Sequence, residues 1–463
     1  MKTATTAVNT DTAAFSQAGG DFKRVLSLRD LVVFGIAFVG PTAPYSMFGL
    51  ATVKSQGHLP LVYLIAMLAM SFTAFSYGRM AAAFPEAGST YSYAAKALHP
   101  VVGFFAGWAM ILDYILIPML SVIFVGLTAQ KVWPEVPYPV WVFVTALGIT
   151  AINLRGIQVT SRANYVMNAI MGASLVWFIL LAIRALWVGV GKDAAGVSAL
   201  FSARPFFNPQ TFSFDEIIGA TSLAVLSFIG FDGVTTLAED AKDPRRDIGR
   251  ATVLVCLIAG GLFVIESYLA QMVWPDYRTF SPVETAFMDI GKLVGGAALF
   301  YFLSFVLVVA GLAGAITGQA SASRLLYGMG RDRLLPYRLF GYVHPKLGTP
   351  VYSVLLMGGI HLTGALILKY TEAAELVNFG AFLGFIAVNV CVVRHYWLRP
   401  GPRRGGRLFS HLLLPALGAS VCFYIWMHLS HFALALGGLW ITLGFLYLCL
   451  LTRGFRKKVE LKL

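Results

Sequence analysis

Asp232 stands between Gly230 and Gly233 near the middle of an apolar segment, in the run Phe228-Ile-Gly-Phe-Asp-Gly-Val-Thr-Thr-Leu-Ala-Glu-Asp240. A carboxylate at bilayer depth costs about 2.5–3.5 kcal/mol, so an acid in such a place marks a functional site. Glycines on both sides weaken a helix there and free backbone groups to face a cavity. A broken helix carrying an acid suits a site that receives the ammonium group of a cationic solute. The competing role is local, because an acid at a helix break can also cap exposed amides.

A second acid, Asp113, lies in another apolar segment, beside Tyr114 and five residues before Pro118. Two carboxylates would match a solute with a cation at each end, and Tyr114 could hydrogen-bond it or lie along its methylenes. Adjacent helical residues diverge by about 100°, so the two side chains need not share a face. The alternative is an acid paired with a neighbouring helix and a packed tyrosine. Phe228 and Phe231 flank the break as a gate or as cation–π faces, with ordinary packing as the rival role. Thr42, Ser46, Thr235 and Asn378 are further polar candidates, although Ser and Thr in apolar helices often bond their own backbone. Glu266, in Phe263-Val-Ile-Glu-Ser-Tyr268, is a candidate to take up and release a proton. It could equally face an aqueous vestibule or pair with a base.

The chain that must position these groups is 58% hydrophobic and only 12% charged over 463 residues. Its mean hydropathy of +0.74 excludes an ordinary soluble domain and points to a polytopic helical membrane protein. Twelve apolar spans are expected, centred near residues 42, 71, 115, 147, 176, 227, 262, 305, 360, 384, 419 and 442. The net charge of +13 is unevenly placed: 27 of the 35 lysines and arginines fall in the two termini and the even-numbered loops. That asymmetry puts both termini in the cytoplasm, and it assigns the basic tail to lipid headgroups, with no nucleic acid as partner. The polar first twenty residues lack the apolar core of a cleaved signal, so the first span is expected to do the targeting. Cys256, Cys391, Cys422 and Cys449 and the histidines show no ligand spacing, so no metal is expected. No phosphate-binding loop or nucleophile–base pair appears, so neither a cofactor nor an enzyme is expected.

Gly35, Gly40, Pro41 and Pro44 predict that the first span unwinds near residues 39–44, as the sixth does near Asp232. Interruptions in the first and sixth spans predict two five-span repeats of inverted topology followed by two extra spans. The expected boundaries are a tail at 1–22, repeats at 23–190 and 191–398, two added helices at 399–452, and a basic tail at 453–463. The longest loops are expected around 191–214, 276–292 and 327–349. Arg79, Glu86, Glu239, Asp240, Arg324, Arg331 and Asp332 fall on the cytoplasmic face, either as ion pairs that latch one conformation or as solvated loop charge.

Two cytoplasmic motifs give the chain a family resemblance. One is Phe84-Pro-Glu-Ala-Gly-Ser-Thr-Tyr91, continuing to Gly103 and Trp108. The other is Ser323-Arg-Leu-Leu-Tyr-Gly-Met-Gly-Arg-Asp332, followed by Leu335-Pro336 and His344-Pro-Lys-Leu-Gly-Thr-Pro350. With them, roughly residues 25–453 resemble the amino acid–polyamine–organocation transporter family. Within it the chain is most similar to bacterial putrescine importers, through Leu112-Asp-Tyr-Ile-Leu-Ile-Pro118 and Gly230-Phe-Asp-Gly-Val-Thr-Thr236. The resemblance implies a LeuT-like fold, uptake usually driven by a proton gradient, and a solute site between the unwound parts of spans one and six, closed by spans three, eight and ten. Amino-acid carriers of the family hold the substrate carboxylate on free amides of a glycine-rich run in span one. Here that stretch is Gly35-Ile-Ala-Phe-Val-Gly40-Pro-Thr-Ala-Pro44, whose two prolines lack N–H groups, which favours a small amine without a carboxylate. An amino-acid permease of the same family is the nearest rival. A nutrient sensor without transport is a more distant one, and it would need a cytoplasmic domain for which the loops leave no room.

Overall fold

The computed structural model describes residues 26–84, 89–156, 161–190, 200–238, 241–331, 336–398, 408–452 and 454. Every named element among them is helical, and one isolated β-bridge joins Leu26 to Ala241. The order is α1 (Leu28–Val39), α2 (Ala43–Lys54), α3 (Leu59–Ala83), α4 (Ser89–Ala97), α5 (Pro100–Val132), α6 (Tyr138–Leu154) and α7 (Ser161–Trp187). Then come α8 (Phe214–Ala224), the 3-10 segments Val225–Phe228 and Phe231–Leu237, α9 (Pro244–Val273) and α10 (Ala286–Arg331). The chain closes with α11 (Tyr337–Phe340), α12 (Val351–Ile367), α13 (Tyr370–Val392), α14 (Leu414–Met427) and α15 (His431–Leu451).

Nine helices among the described residues are long and apolar enough to cross a membrane, and the α1–α2 pair makes a tenth, bent by 52°. The 17-residue helices α6 and α12 occupy the expected fourth and ninth places. Each is about 25 Å long, short of the roughly 30 Å of hydrocarbon in a bilayer. The outward faces are apolar, with Leu147, Leu180 and Leu450 more than half exposed, as suits a chain whose solvent is lipid.

Local chemistry sets the ends that matter. Ser27 caps α1, and the Asp30 carboxylate accepts the Ser27 amide at 2.9 Å, completing a capping box. α1 stops at Gly40, whose φ of +81° no ordinary L-residue adopts cheaply. Pro44 does not break the helix, contrary to the expectation above. It lies in the first turn of α2, where a missing N–H costs nothing. Residues 276–292 also depart from the expected long loop, because α10 begins at Ala286 and bends only at Gly296 (φ +66°).

Candidate functional site

The two interrupted spans meet break to break. The sixth span runs through α8 into a 3-10 turn, halts at Ile229 and Gly230, and resumes as a 3-10 segment from Phe231. Gly230 has φ +112°, and a Cβ there would stand 3.0 Å from the carbonyl oxygen of Phe38 in the last turn of α1. Gly233 needs no such freedom, since a Cβ on it would make ordinary contact, 3.6 Å from the Phe38 ring. Of the two glycines flanking Asp232, only Gly230 makes the break.

Asp232 and Asp113 face the same region from different segments. They lie within electrostatic reach of each other and of the Tyr77 and Tyr114 hydroxyls. The Asp232 carboxylate lies near its own backbone amide and those of Gly230 and Gly233, an arrangement compatible with the capping role at the break. Asp113 has no such arrangement. Its Oδ1 is buried without a hydrogen-bond partner among the described residues, and it faces Gly380 of α13, where a Cβ would sit 3.3 Å away. Tyr114 is 44% exposed and diverges from its neighbour. Phe228 and Phe231 are fully buried in aromatic packing, Phe228 edge-on to Phe263 and Phe231 against Tyr77 and Phe385. Neither lines the cavity that adjoins the breaks.

A cavity of about 280 Å³ adjoins the breaks. Gly40, Thr42 and Ser46 line it from the first span and Ser227 and Ile229 from the sixth, with α5, α7, α10 and α13 closing it through Ser121, Met171, Gly311 and Tyr370. No charged residue or histidine lines it. Asp113 precedes the lining residue Ile117 by one helical turn, and Asp232 follows the lining residue Ile229 by three residues, across the break. Both acids are therefore displaced towards the end where α1 begins. In the first break, the Gly40 amide bonds Ile36, Ala43 bonds Gly40 and Tyr45 bonds Thr42. Pro41 and Pro44 have no N–H, which leaves the Thr42 amide as the one without a backbone acceptor.

The other polar candidates are mostly structural. Thr235 donates to the Asp232 carbonyl oxygen at 2.7 Å and Ser46 to that of Ala43 at 3.2 Å. Asn378 donates to the Ser222 carbonyl oxygen at 2.5 Å, tying α13 to α8. Glu266 on α9 is fully buried, and neither carboxyl oxygen has a hydrogen-bond partner among the described residues. Tyr45 and Tyr63 are within its electrostatic reach, and the Tyr63 hydroxyl lies 3.1 Å from Oγ of the cavity residue Ser227.

An amino acid permease family profile matches residues 30–451. The chain belongs to the amino acid permease family. The low-affinity putrescine importer PlaP of Escherichia coli (strain K12) is 35% identical over 95% of this chain and 96% of its own. The branched-chain amino acid permease BcaP of Bacillus subtilis (strain 168) is 25% identical over 96% of this chain and 97% of its own. The vacuolar cationic amino acid transporter 4 of Arabidopsis thaliana is 27% identical over 80% of this chain and 62% of its own.

In this permease-family chain two ion pairs escaped the sequence reading. Lys54 at the end of α2 bonds Glu375 of α13 at 2.9 Å, and Lys131 near the end of α5 bonds Asp289 of α10 at the same distance. Glu375 also accepts the Ser430 amide at 3.3 Å. Lysines at the ends of apolar runs were visible, but partners 321 and 158 residues away were not. Both pairs lie at the opposite end of the bundle from the expected latch. Of that latch, Glu86, Glu239, Asp240, Asp332 and the side chains of Arg324 and Arg331 lie outside the described residues. Arg79 makes no ion pair among them; its guanidinium stacks over the Phe75 ring at 4.9 Å.

Proposed function

We propose that the chain imports a small cationic amine, putrescine or a related polyamine, across the bacterial cytoplasmic membrane by proton-coupled alternating access. The observation that carries this reading is that Asp113 and Asp232 lie within electrostatic reach of each other, about one turn or break away from a cavity that offers no basic group. An amino acid would bring a carboxylate, for which the first break supplies one free amide and the sixth break supplies amides already facing Asp232. A diamine brings two ammonium groups and matches two acids. The fully cytoplasmic termini, the twelve spans and the two five-span halves of inverted topology belong to the same proposal. Rocking of one half against the other would carry the amine from the cavity to the acids and release it. An inside-negative potential favours entry of a dication by about 4.6 kcal/mol per 100 mV, before any proton is counted.

Glu266 is the proposed proton site. A charge enclosed without a partner is costly unless neutralised, and Ser227 and Tyr63 form a polar line from the cavity towards it. A second reading, an amino-acid permease, draws support from the branched-chain relative and from the absence of either acid from the cavity lining.

Uptake of radiolabelled putrescine into proteoliposomes, with membrane potential and proton gradient set separately, tests the proposal. Saturable uptake blocked by spermidine, and left unaffected by alanine, supports the amine importer. Competition by neutral amino acids without putrescine uptake would overturn it in favour of the second reading.

A further inference from the structure

A second cavity, of about 630 Å³, opens at the end of the bundle where α1 begins and α3 ends. Four arginines surround it: Arg79 from α3, and Arg245, Arg246 and Arg250 from the first two turns of α9. Their convergence has a steric cause. A Cβ on Gly78 would lie 2.4 Å from the Cα of Gly249, so α3 and α9 cross in backbone contact beside Arg79 and Arg250. None of the four makes an ion pair among the described residues. Three of them also crowd a helix N-terminus, whose dipole disfavours cations. Asp243 and Asp247 share that N-terminus without pairing with the arginines among the described residues, so the cluster keeps an excess of positive charge that an anion would offset.

The walls change character with depth. Phe75 lies one turn inward from Arg79, and Val253 and Leu254 lie about one turn inward from Arg250; all three line the same cavity. A cationic rim above an apolar wall, on a chain embedded in a bilayer, has the chemistry of a lipid site. The end concerned is the one that the lysine and arginine asymmetry turns towards the cytoplasmic leaflet.

We propose that this cavity binds the phosphate headgroup of an anionic glycerophospholipid, with an acyl chain running along Phe75, Val253 and Leu254. Leu28, the first residue of α1, lines the same cavity. A bound lipid therefore ties the start of the broken first span to α3 and α9 and favours the conformation seen here. This site is independent of what the central cavity carries.

Native mass spectrometry of the full chain, offered phosphatidylglycerol and phosphatidylcholine with identical acyl chains, reads the site directly. Wild type should retain phosphatidylglycerol with a preference of roughly ten-fold or more, given the gain expected for each basic residue. The variant Arg245→Gln/Arg246→Gln/Arg250→Gln should lose that preference, and Arg278→Gln, an arginine away from this cavity, should keep it. The three α9 arginines are exposed, so the variant should fold; a melting curve in neutral detergent checks this, with Arg250→Gln alone as the milder version. Equal retention of the two lipids, or an unchanged preference in the triple variant, would overturn the proposal. Displacement of phosphatidylglycerol by millimolar inorganic phosphate would overturn the lipid assignment in favour of a soluble phosphate.

Discussion

Asp113 and Asp232 hold related positions but different surroundings, and that difference can be tested residue by residue. Asp232 faces backbone amides, a role that asparagine fills about as well as aspartate. If Asp232 were only a cap, Asp232→Asn would transport normally. As an amine ligand, its substitution should raise the KM for putrescine by roughly ten-fold or more while the melting temperature holds, because a charge-assisted bond to the cation is lost. Asp113→Asn should do the same, since no capping role competes there. For Glu266, the expected signature is a split. Glu266→Gln should abolish the stimulation of uptake by an inward proton gradient while leaving potential-driven uptake or exchange of preloaded substrate intact. Unchanged stimulation in that variant would remove Glu266 from the coupling step.

At the scale of elements, the site depends on where helices stop and how closely they cross. Gly230 combines φ +112° with contact against the Phe38 carbonyl, so Gly230→Ala should cost about 1–2 kcal/mol and reduce uptake. Gly233→Ala, with ordinary backbone and an ordinary contact, should be tolerated; melting temperature and uptake read both. The prolines of the first span matter less as breakers than expected, because Pro44 opens α2 and Gly40 makes the turn. Gly380 plays a different part. A methyl there would lie 2.5 Å from the Ala109 carbonyl oxygen and push α13 away from α5, so close packing holds Asp113 against its neighbour helix.

Across the whole molecule, the described ion pairs tie helices together at one end of the bundle, while at the other a cluster of arginines makes no ion pair among the described residues. Lys54–Glu375 joins the second half of the broken first span to α13, and Glu375 is only 7% exposed. Lys54→Met would leave that carboxylate enclosed without its partner, at a cost on the order of 1–3 kcal/mol to the closed state. A cysteine placed at the cavity residue Ser46 should then react several-fold faster with a charged thiol reagent added from that end. An unchanged labelling rate would show that the pair does not hold the closure.

The sequence by itself determined the membrane class, most of the helices, the family, and both breaks to within a few residues. Each of these depends on local composition: long apolar runs, a capping serine, a glycine at positive φ. It also singled out Asp113, Asp232 and Glu266, because an acid in an apolar run is conspicuous wherever it points. Only the tertiary structure decided which groups meet. Asp113 comes within electrostatic reach of Asp232, Lys54 pairs with Glu375, and Arg79 joins Arg245, Arg246 and Arg250 because helices far apart in sequence pack closely, some of them at glycines such as Gly78, Gly249 and Gly380. It also decided that neither acid lines the cavity, and that Phe228 and Phe231 are packed rather than lining it. The rotation and crossing of a helix are set by its neighbours' side chains, so residue order along any one helix does not specify them.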